Sequence, residues 1–376
     1  MKRTGISIVI ILIILAAFVI IKQLAVSPET DQVGPIKLGA IFSLTDFGAH
    51  WGQSERNAAV MAVEEINQTG GIKGRPLELV IEDNESDLKK TVTAAQKLIN
   101  VDKVPAVTGP QWQEFAIVAA PVFQTSKAVM LTPSGSSPDL SKAGDYVFST
   151  WPLPVNMVRS LVNHLVKDNP EPEFAIIQVE NAFFEMFAQA FKAEITAAGG
   201  KVSSYYRVIP DDKDFRTILT KLKAAGVKNV FASLLEGTQV PFYRQATELG
   251  LNANFYAPYT IESDEDLMKN PRTAEGVVYP QIASKGNEEF LTKYKARFTD
   301  DPSESAAMSY DNVFILAKAI EKVGYSGPAI KNYLESMTNY QGASGNISFD
   351  QNGDLASPGE YVIRTIKNGK ISDITE

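Results

Sequence analysis

Residues 37–82 read KLGAIFSLTDFGAHWGQSERNAAVMAVEEINQTGGIKGRPLELVIE. Lys37–Leu44 is a mostly apolar run, Trp51–Gln68 is a helical stretch, and Gly70-Gly71 stops it. Leu77–Glu82 then reads as a strand. Outward from this unit the alternation repeats. Ser86 is expected to cap a helix with Asp87 in its first turn and Thr91–Ile99 as its body. Val104–Thr108 is a strand broken by Gly109-Pro110, a helix follows from about Gln113, and Ala128–Leu131 is another buried strand. The order β-α-β-α-β, with short strands apolar on both faces, is that of a parallel sheet covered on both sides by helices.

A second series begins after Tyr146–Trp151, where the prolines Pro152 and Pro154 mark a crossing between lobes. Phe174–Val179 is a strand, Phe183–Ala198 a helix stopped by Gly199-Gly200, and Lys201–Val208 another strand. Phe215, Ile218, Leu219 and Leu222 fall on one helical face, with Lys213, Arg216, Lys221 and Lys223 turned outward. Asn229–Leu234 is a strand, and Thr238–Leu249 a helix ended by Gly250. Helices near Glu288–Phe298 and Ser305–Val323 would return the chain to the first lobe. The expected fold class is α/β, with two doubly wound parallel-sheet lobes and an N-terminal hydrophobic helix. Ligands of such sheets bind beyond the carboxyl ends of the strands. The loops to inspect are therefore Thr45–Trp51, Pro110–Gln113, Thr132–Ser137, Glu180–Phe184, Leu235–Thr238 and Ala257–Glu262.

Composition agrees with two domains and narrows the chemistry. The chain has 376 residues, and the ~340 beyond its hydrophobic start exceed what one core ordinarily spans. Hydrophobic residues are 44% and charged residues 21%, so the body is neither disordered nor polytopic. Net charge is -8 without any basic cluster, which argues against a nucleic-acid partner. Cysteine is absent, which removes disulfides, thiolate nucleophiles, most structural zinc sites and a cysteine-linked lipid anchor. His50 and His164 lie far apart and outside any H-E-x-x-H pattern, so no metal and no cofactor is expected. Ser86-Asp87-Leu88-Lys89 fits S-x-x-K but lacks its companion motifs, and Gly70-Gly71-x-x-Gly74 ends a helix where a dinucleotide fingerprint would open one. No catalytic residue is expected, and the chain is read as a binder and not an enzyme.

Lys2 and Arg3 precede an uncharged run, Thr4–Ile21, which reads as an export signal. As a helix its roughly 18 residues would span about 27 Å, slightly short of the hydrocarbon core yet long for a signal peptide. Ala25-Val26-Ser27 is followed by Pro28, a poor processing site, so residues 1–35 are read as an uncleaved signal anchor ending in a polar tether. A cleaved signal is the alternative. Either way the positive-inside tendency leaves the body outside the cytoplasm, periplasmic or at the cell surface.

Three further groups of residues carry a family resemblance. Gly52-Gln53-Ser54, then Ala62-Val63-Glu64-Glu65-Ile66-Asn67, then Gly70-Gly71-Ile72-Lys73-Gly74-Arg75-Pro76-Leu77-Glu78-Leu79 resemble the N-terminal signature of type I periplasmic solute-binding proteins of the leucine/isoleucine/valine-binding class. Gly109-Pro110, Pro121-Val122, Thr132-Pro133-Ser134, Tyr146-Val147-Phe148 and Ser309-Tyr310-Asp311-Asn312-Val313 are similar to later landmarks, so the likeness covers nearly all of 36–370. It implies the periplasmic binding protein-like I fold, with lobes joined by a three-crossing hinge. Lobe 1 would be 36–152 plus 282–342, and lobe 2 would be 153–281 plus 343–376. It also implies an amino acid-like ligand handed to the permease of an ABC transporter, a membrane-tethered ligand sensor of the same fold being the alternative.

The ligand region departs from the family. Phe183-Phe184 stands where many members have Tyr-Gly, Thr238 stands where their acid lies, with Glu236 the nearest acid, and Phe148-Ser149-Thr150 replaces Phe-Arg-Thr. The candidate ligand-binding residues are as follows in the order of the chain. Trp51 and Trp112 would wall the ligand, although large aromatics also fill cores. Gln111, Trp112 and Gln113 open a helix whose free N–H groups suit a carboxylate, the alternative being an ordinary helix start. Ser134, Gly135 and Ser136 offer hydroxyls and backbone donors, or form a plain turn. Phe183 would face them from lobe 2. Glu236 would hold a ligand cation or sit in solvent, and Thr238 would touch ligand or serve as an N-cap.

Overall fold

The computed structural model describes residues 34–167, 172–283, 285–356 and 360–374, so the anchor expected at 1–35 lies almost entirely outside the described residues. Among them no helix is long and apolar enough to cross a membrane. The first series forms β1 (Ile36–Phe42), α1 (Ala49–Gln68), β2 (Leu77–Asp83), α2 (Leu88–Asn100), β3 (Ala106–Thr108), α3 (Gln113–Ser126), β4 (Val129–Thr132) and β5 (Val147–Ser149). These strands make a five-stranded sheet ordered β2-β1-β3-β4-β5. The pairs β1–β3, β3–β4 and β4–β5 are parallel.

The second series is α4 (Pro154–Leu165), β6 (Glu173–Val179), α5 (Ala182–Ala197), β7 (Lys201–Val208), α6 (Arg216–Ala224), β8 (Asn229–Ser233), α7 (Gln239–Glu248), β9 (Asn254–Tyr256), α8 (Glu265–Lys269) and β10 (Val278–Ile282). The chain then returns to the first sheet through α9 (Glu288–Arg297), α10 (Ala306–Val323), α11 (Gly327–Ser336) and the hairpin β11 (Tyr340–Gly342) and β12 (Gly345–Ile347). It ends with β13 (Tyr361–Lys367) and β14 (Lys370–Asp373), giving a second sheet ordered β14-β13-β10-β9-β8-β6-β7. Residues alternate faces along β6. Ala175, Ile177 and Val179 pack with Leu219, Leu222 and Phe242, whereas Phe174 and Ile176 pack with Val158, Leu161 and Phe191. Burial on both faces explains why the strands read as continuous apolar runs.

The structure departs from the sequence reading in four places. The second sheet is mixed, because β13 pairs antiparallel with β10 and β14 antiparallel with β13. No crossover helix precedes β13, and Asn368-Gly369, with φ of 56° and 69°, folds β14 straight back as a two-residue hairpin. The segment 343–355, expected with the second lobe, bonds to the first: Ala343 and Ser344 donate their N–H groups to Asp311, each at 2.7 Å, and Ser149 N donates to Gly353 O at 2.9 Å. Helix α2 is capped by Asp87, whose carboxylate accepts from Lys89 N and Lys90 N at 2.8 Å. Ser86 instead ties down the loop after β1, accepting from Gly48 N and donating to Thr45 O, both at 3.0 Å. Helix α4 was not anticipated, although Pro154 in its first turn and the buried Met157, Val158, Leu161 and Val162 give it a helical stripe.

Gly52, in the signature stretch, is required by packing. A Cβ there would lie 2.0 Å from Ser43 O, so the first turns of α1 press directly against the end of β1. On the other side α1 packs along α10, and this pairing brings residues of 303–312 to the strand ends of the first sheet.

Candidate ligand-binding cleft

Loops that follow β1, β3, β4, β6, β8 and β9 line one cleft of about 610 Å³, a size suited to a small molecule. All six loops selected from strand ends contribute to it. Each wall is built by a helix start.

On the first-sheet side, Trp112 is the N-cap of α3 with φ 55° and ψ 151°, a backbone region that non-glycine residues rarely adopt. Its N–H donates to Ser134 Oγ at 3.2 Å. The Trp112 ring stacks between Phe47, at 5.6 Å, and Phe115, at 6.0 Å, and meets Trp51 edge-on at 5.4 Å. Beneath this wall Glu55 of α1 is fully buried. Its Oε1 accepts from Ser134 Oγ at 2.8 Å and from Ser305 Oγ at 2.6 Å, so two cleft-lining hydroxyls hang from one carboxylate. Burial pushes the Glu55 carboxyl up to about 7, against the pull of those two hydroxyls.

On the second-sheet side, Asn181 caps α5 by accepting from Phe183 N at 2.9 Å, which sets Phe183 and Phe184 on the first turn. An aromatic chain runs from Phe183 to Phe187 at 5.2 Å, to Tyr259 at 5.7 Å and to Trp151 at 6.0 Å. Between the walls lie the carboxylates of Glu114, Glu236 and Glu304. Burial raises the Glu114 carboxyl, and burial followed by repulsion from Asp264 and Glu265 raises that of Glu236. On three lining residues a buried side-chain atom has no hydrogen-bond partner among the described residues: Gln113 Oε1, Ser136 Oγ and Thr260 Oγ1.

Of the residues selected from the sequence, Trp51, Trp112, Gln113, Ser134, Ser136, Phe183 and Glu236 line the cleft. Gln111, Gly135 and Thr238 do not. Gln111 is buried behind the wall, accepting from Ser43 N at 3.1 Å and donating to Gly48 O at 3.3 Å. Gly135 donates its N–H to Thr132 Oγ1 at 2.9 Å and accepts from Ser149 Oγ at 2.7 Å. Thr238 precedes α7 as an N-cap residue, but its buried hydroxyl donates to Leu235 O at 2.6 Å. Phe187, Tyr259, Glu114 and Glu304 line the cleft without having been singled out. Phe187 sits one helical turn beyond Phe183, and Tyr259 lies within an inspected loop. Glu304 precedes a helix and follows no strand, so no local signal marks it.

A family model described as periplasmic binding protein matches residues 35–370. The leucine-, isoleucine-, valine-, threonine-, and alanine-binding protein of Pseudomonas aeruginosa is 29% identical over 85% of this chain and 87% of its own length. The Leu/Ile/Val-binding protein homolog 3 of Brucella melitensis is 28% identical over 89% of this chain and 92% of its own. The structure of an ABC transporter substrate-binding protein from Desulfitobacterium hafniense in complex with Leu superposes with a TM-score of 0.76. It is 25% identical and covers 90% of this chain and 100% of that one. Two α/β lobes whose strand-end loops line one cleft and a family match over almost the whole body place the chain in the periplasmic binding protein family, as an extracytoplasmic solute-binding protein.

Proposed function

We propose that the chain captures a small amino acid-like solute between its lobes and hands it to the permease of an ABC importer, without chemical turnover. The lobes are 36–152 with 283–355, and 153–282 with 360–374. The N-terminal segment would hold the body at the membrane near that permease. The ligand-contacting set would be Trp51, Trp112, Gln113, Ser134, Ser136, Phe183 and Glu236, joined by Tyr259 and Thr260.

The observation that carries this reading is one cleft of about 610 Å³ lined from both lobes, by Trp112, Gln113 and Ser136 on one side and Phe183, Tyr259 and Thr260 on the other. An occupant of that cleft touches both lobes at once. Such an occupant has all its partners only in the closed arrangement and shifts the population toward it. The names of the relatives support an amino acid and an ABC transporter as the two partners.

The test is a thermal-shift screen of the full-length chain, stripped of ligand by unfolding and refolding, against amino acids, amines and aromatic acids. Hits are followed by small-angle scattering and chromatography. The expected result is a raised melting temperature, a smaller radius of gyration and ligand recovered unchanged. A saturating hit that leaves the radius of gyration unaltered refutes capture by closure, and conversion of the ligand refutes binding without turnover.

A further inference from the structure

Among the described residues every charged side chain that lines the cleft is a carboxylate, with no Lys, Arg or His in the lining. Glu304 has an outside partner, Lys285 Nζ at 3.0 Å. Glu114 and Glu236 have no ion-pair partner among the described residues; beside Glu236, Lys213 Nζ is turned to Gly237 O at 2.7 Å, and the charges that raise the Glu236 carboxyl are the further acids Asp264 and Glu265. Both lobes therefore impose negative potential on the same volume. Glu114 and Glu304, from the first lobe, act together on the phenol of Tyr259 across the cleft.

Two independent features say what would relieve that potential. Gln113, 8% exposed, and Ser136, 3% exposed, put polar side chains in the lining, and Gln113 Oε1 and Ser136 Oγ have no hydrogen-bond partner among the described residues. Aromatic rings from both lobes, Trp112 and Tyr259 among them, add π-faces that attract cations. The first turn of α3, which would ordinarily take an anion, is served by Glu114, whose carboxylate accepts from its own backbone N–H.

We infer that the occupant is an organic cation of net positive charge, with a primary ammonium or guanidinium group on an apolar or aromatic body, held between Glu114 and Glu236. The inference rests on the capture reading above and deepens it. A concave site with low-dielectric walls concentrates its field on the ligand and discriminates by charge more sharply than by shape. Neutral-side-chain zwitterions bring a carboxylate into this field and are disfavoured.

The test uses probes that share a side chain and step in net charge from +1 to 0 to −1: phenylalaninamide, phenylalanine and its deamino analogue 3-phenylpropionate, with leucinamide, leucine and 4-methylpentanoate as a second series. The full-length chain is titrated at about pH 6.5, where the amide ammonium groups are charged. Each amide is expected to bind at least about tenfold more tightly than its zwitterion, with the carboxylates weakest and added salt eroding the difference. The double variant Glu114→Gln, Glu236→Gln should abolish the preference while keeping the wild-type melting temperature. A zwitterion that binds as tightly as its amide, or a preference that survives in the double variant, overturns the inference. Zwitterion binding accompanied by closure overturns it while leaving capture intact. Binding of none of the six probes also overturns it, and capture is then judged by the broader screen.

Discussion

Glu55→Gln should stabilise the chain at alkaline pH and leave its stability in acid nearly unchanged. Glu55 is wholly buried, its Oε1 holds the hydroxyls of Ser134 and Ser305, and its Oε2 has no partner. Burial lifts its carboxyl from 4.5 to about 7. In the unfolded chain it titrates near its ordinary value, so between these two values the folded chain binds a proton that the unfolded chain has released. Stability therefore falls as pH rises through this window, by about 1.4 kcal/mol per unit at most and about 3 kcal/mol in total. Below the window both states are protonated and nothing is lost. Glutamine keeps an acceptor for the two hydroxyls and never pays the charge penalty, so the variant should be flat where the wild type declines. Asp311 and Asp354, each raised to about 6 by burial, tilt both proteins alike and cancel in the difference. With unfolding entropy of about 2 cal/mol/K per residue, ~3 kcal/mol corresponds to about 4 °C in a chain of this length. Calorimetry at about pH 4.5 and about pH 8.5 should show equal melting temperatures at the lower pH and the variant ahead by about that margin at the higher. A difference that does not change with pH refutes a buried, proton-binding Glu55.

Trp112→Ala removes the ring that joins Phe47, Trp51 and Phe115, and losing such an anchor costs about 2–4 kcal/mol, or roughly 30- to 1,000-fold in affinity by calorimetric titration. Trp112→Gly should lose binding equally yet melt no earlier, because φ of 55° suits glycine; threefold or smaller losses in both variants would dismiss the wall. Asn312→Ala strips the fully buried amide that accepts from Thr150 Oγ1 at 2.9 Å and donates to Leu131 O at 3.1 Å. Thr150 Oγ1 keeps Thr132 O at 3.3 Å and Leu131 O keeps Gly109 N at 3.0 Å, so losing the two bonds should lower urea-unfolding stability by about 1–3 kcal/mol, and a loss under about 0.5 kcal/mol would show that this tie between α10 and the first crossing is dispensable.

What the sequence by itself determined is whatever depends on near neighbours. Apolar runs of strand length, helical stripes such as Leu219 with Leu222, and glycines at helix ends act within a few residues, so the α/β alternation and the strand-end loops were legible from one end of the body to the other. The rule that ligands sit beyond strand ends then reached six of the segments that line the cleft, leaving the crossing at 151–157 and residues 304–305. Which side chain of a loop turns inward was decided elsewhere. In 111–113 the cleft receives Trp112 and Gln113 because Ser43 N and Gly48 O, more than sixty residues earlier, hold Gln111 behind the wall. Glu304 and Ser305 arrive only because α10 packs along α1, and Glu55 looked like any polar residue of an amphipathic helix until the same packing sealed it from water. The antiparallel edge β13–β14 likewise depends on where the chain re-enters the second sheet. Periodicity and caps are local energies that a short window contains, whereas burial, orphaned atoms and shifted carboxyls are set by groups far apart in the chain, which meet only when both lobes are built.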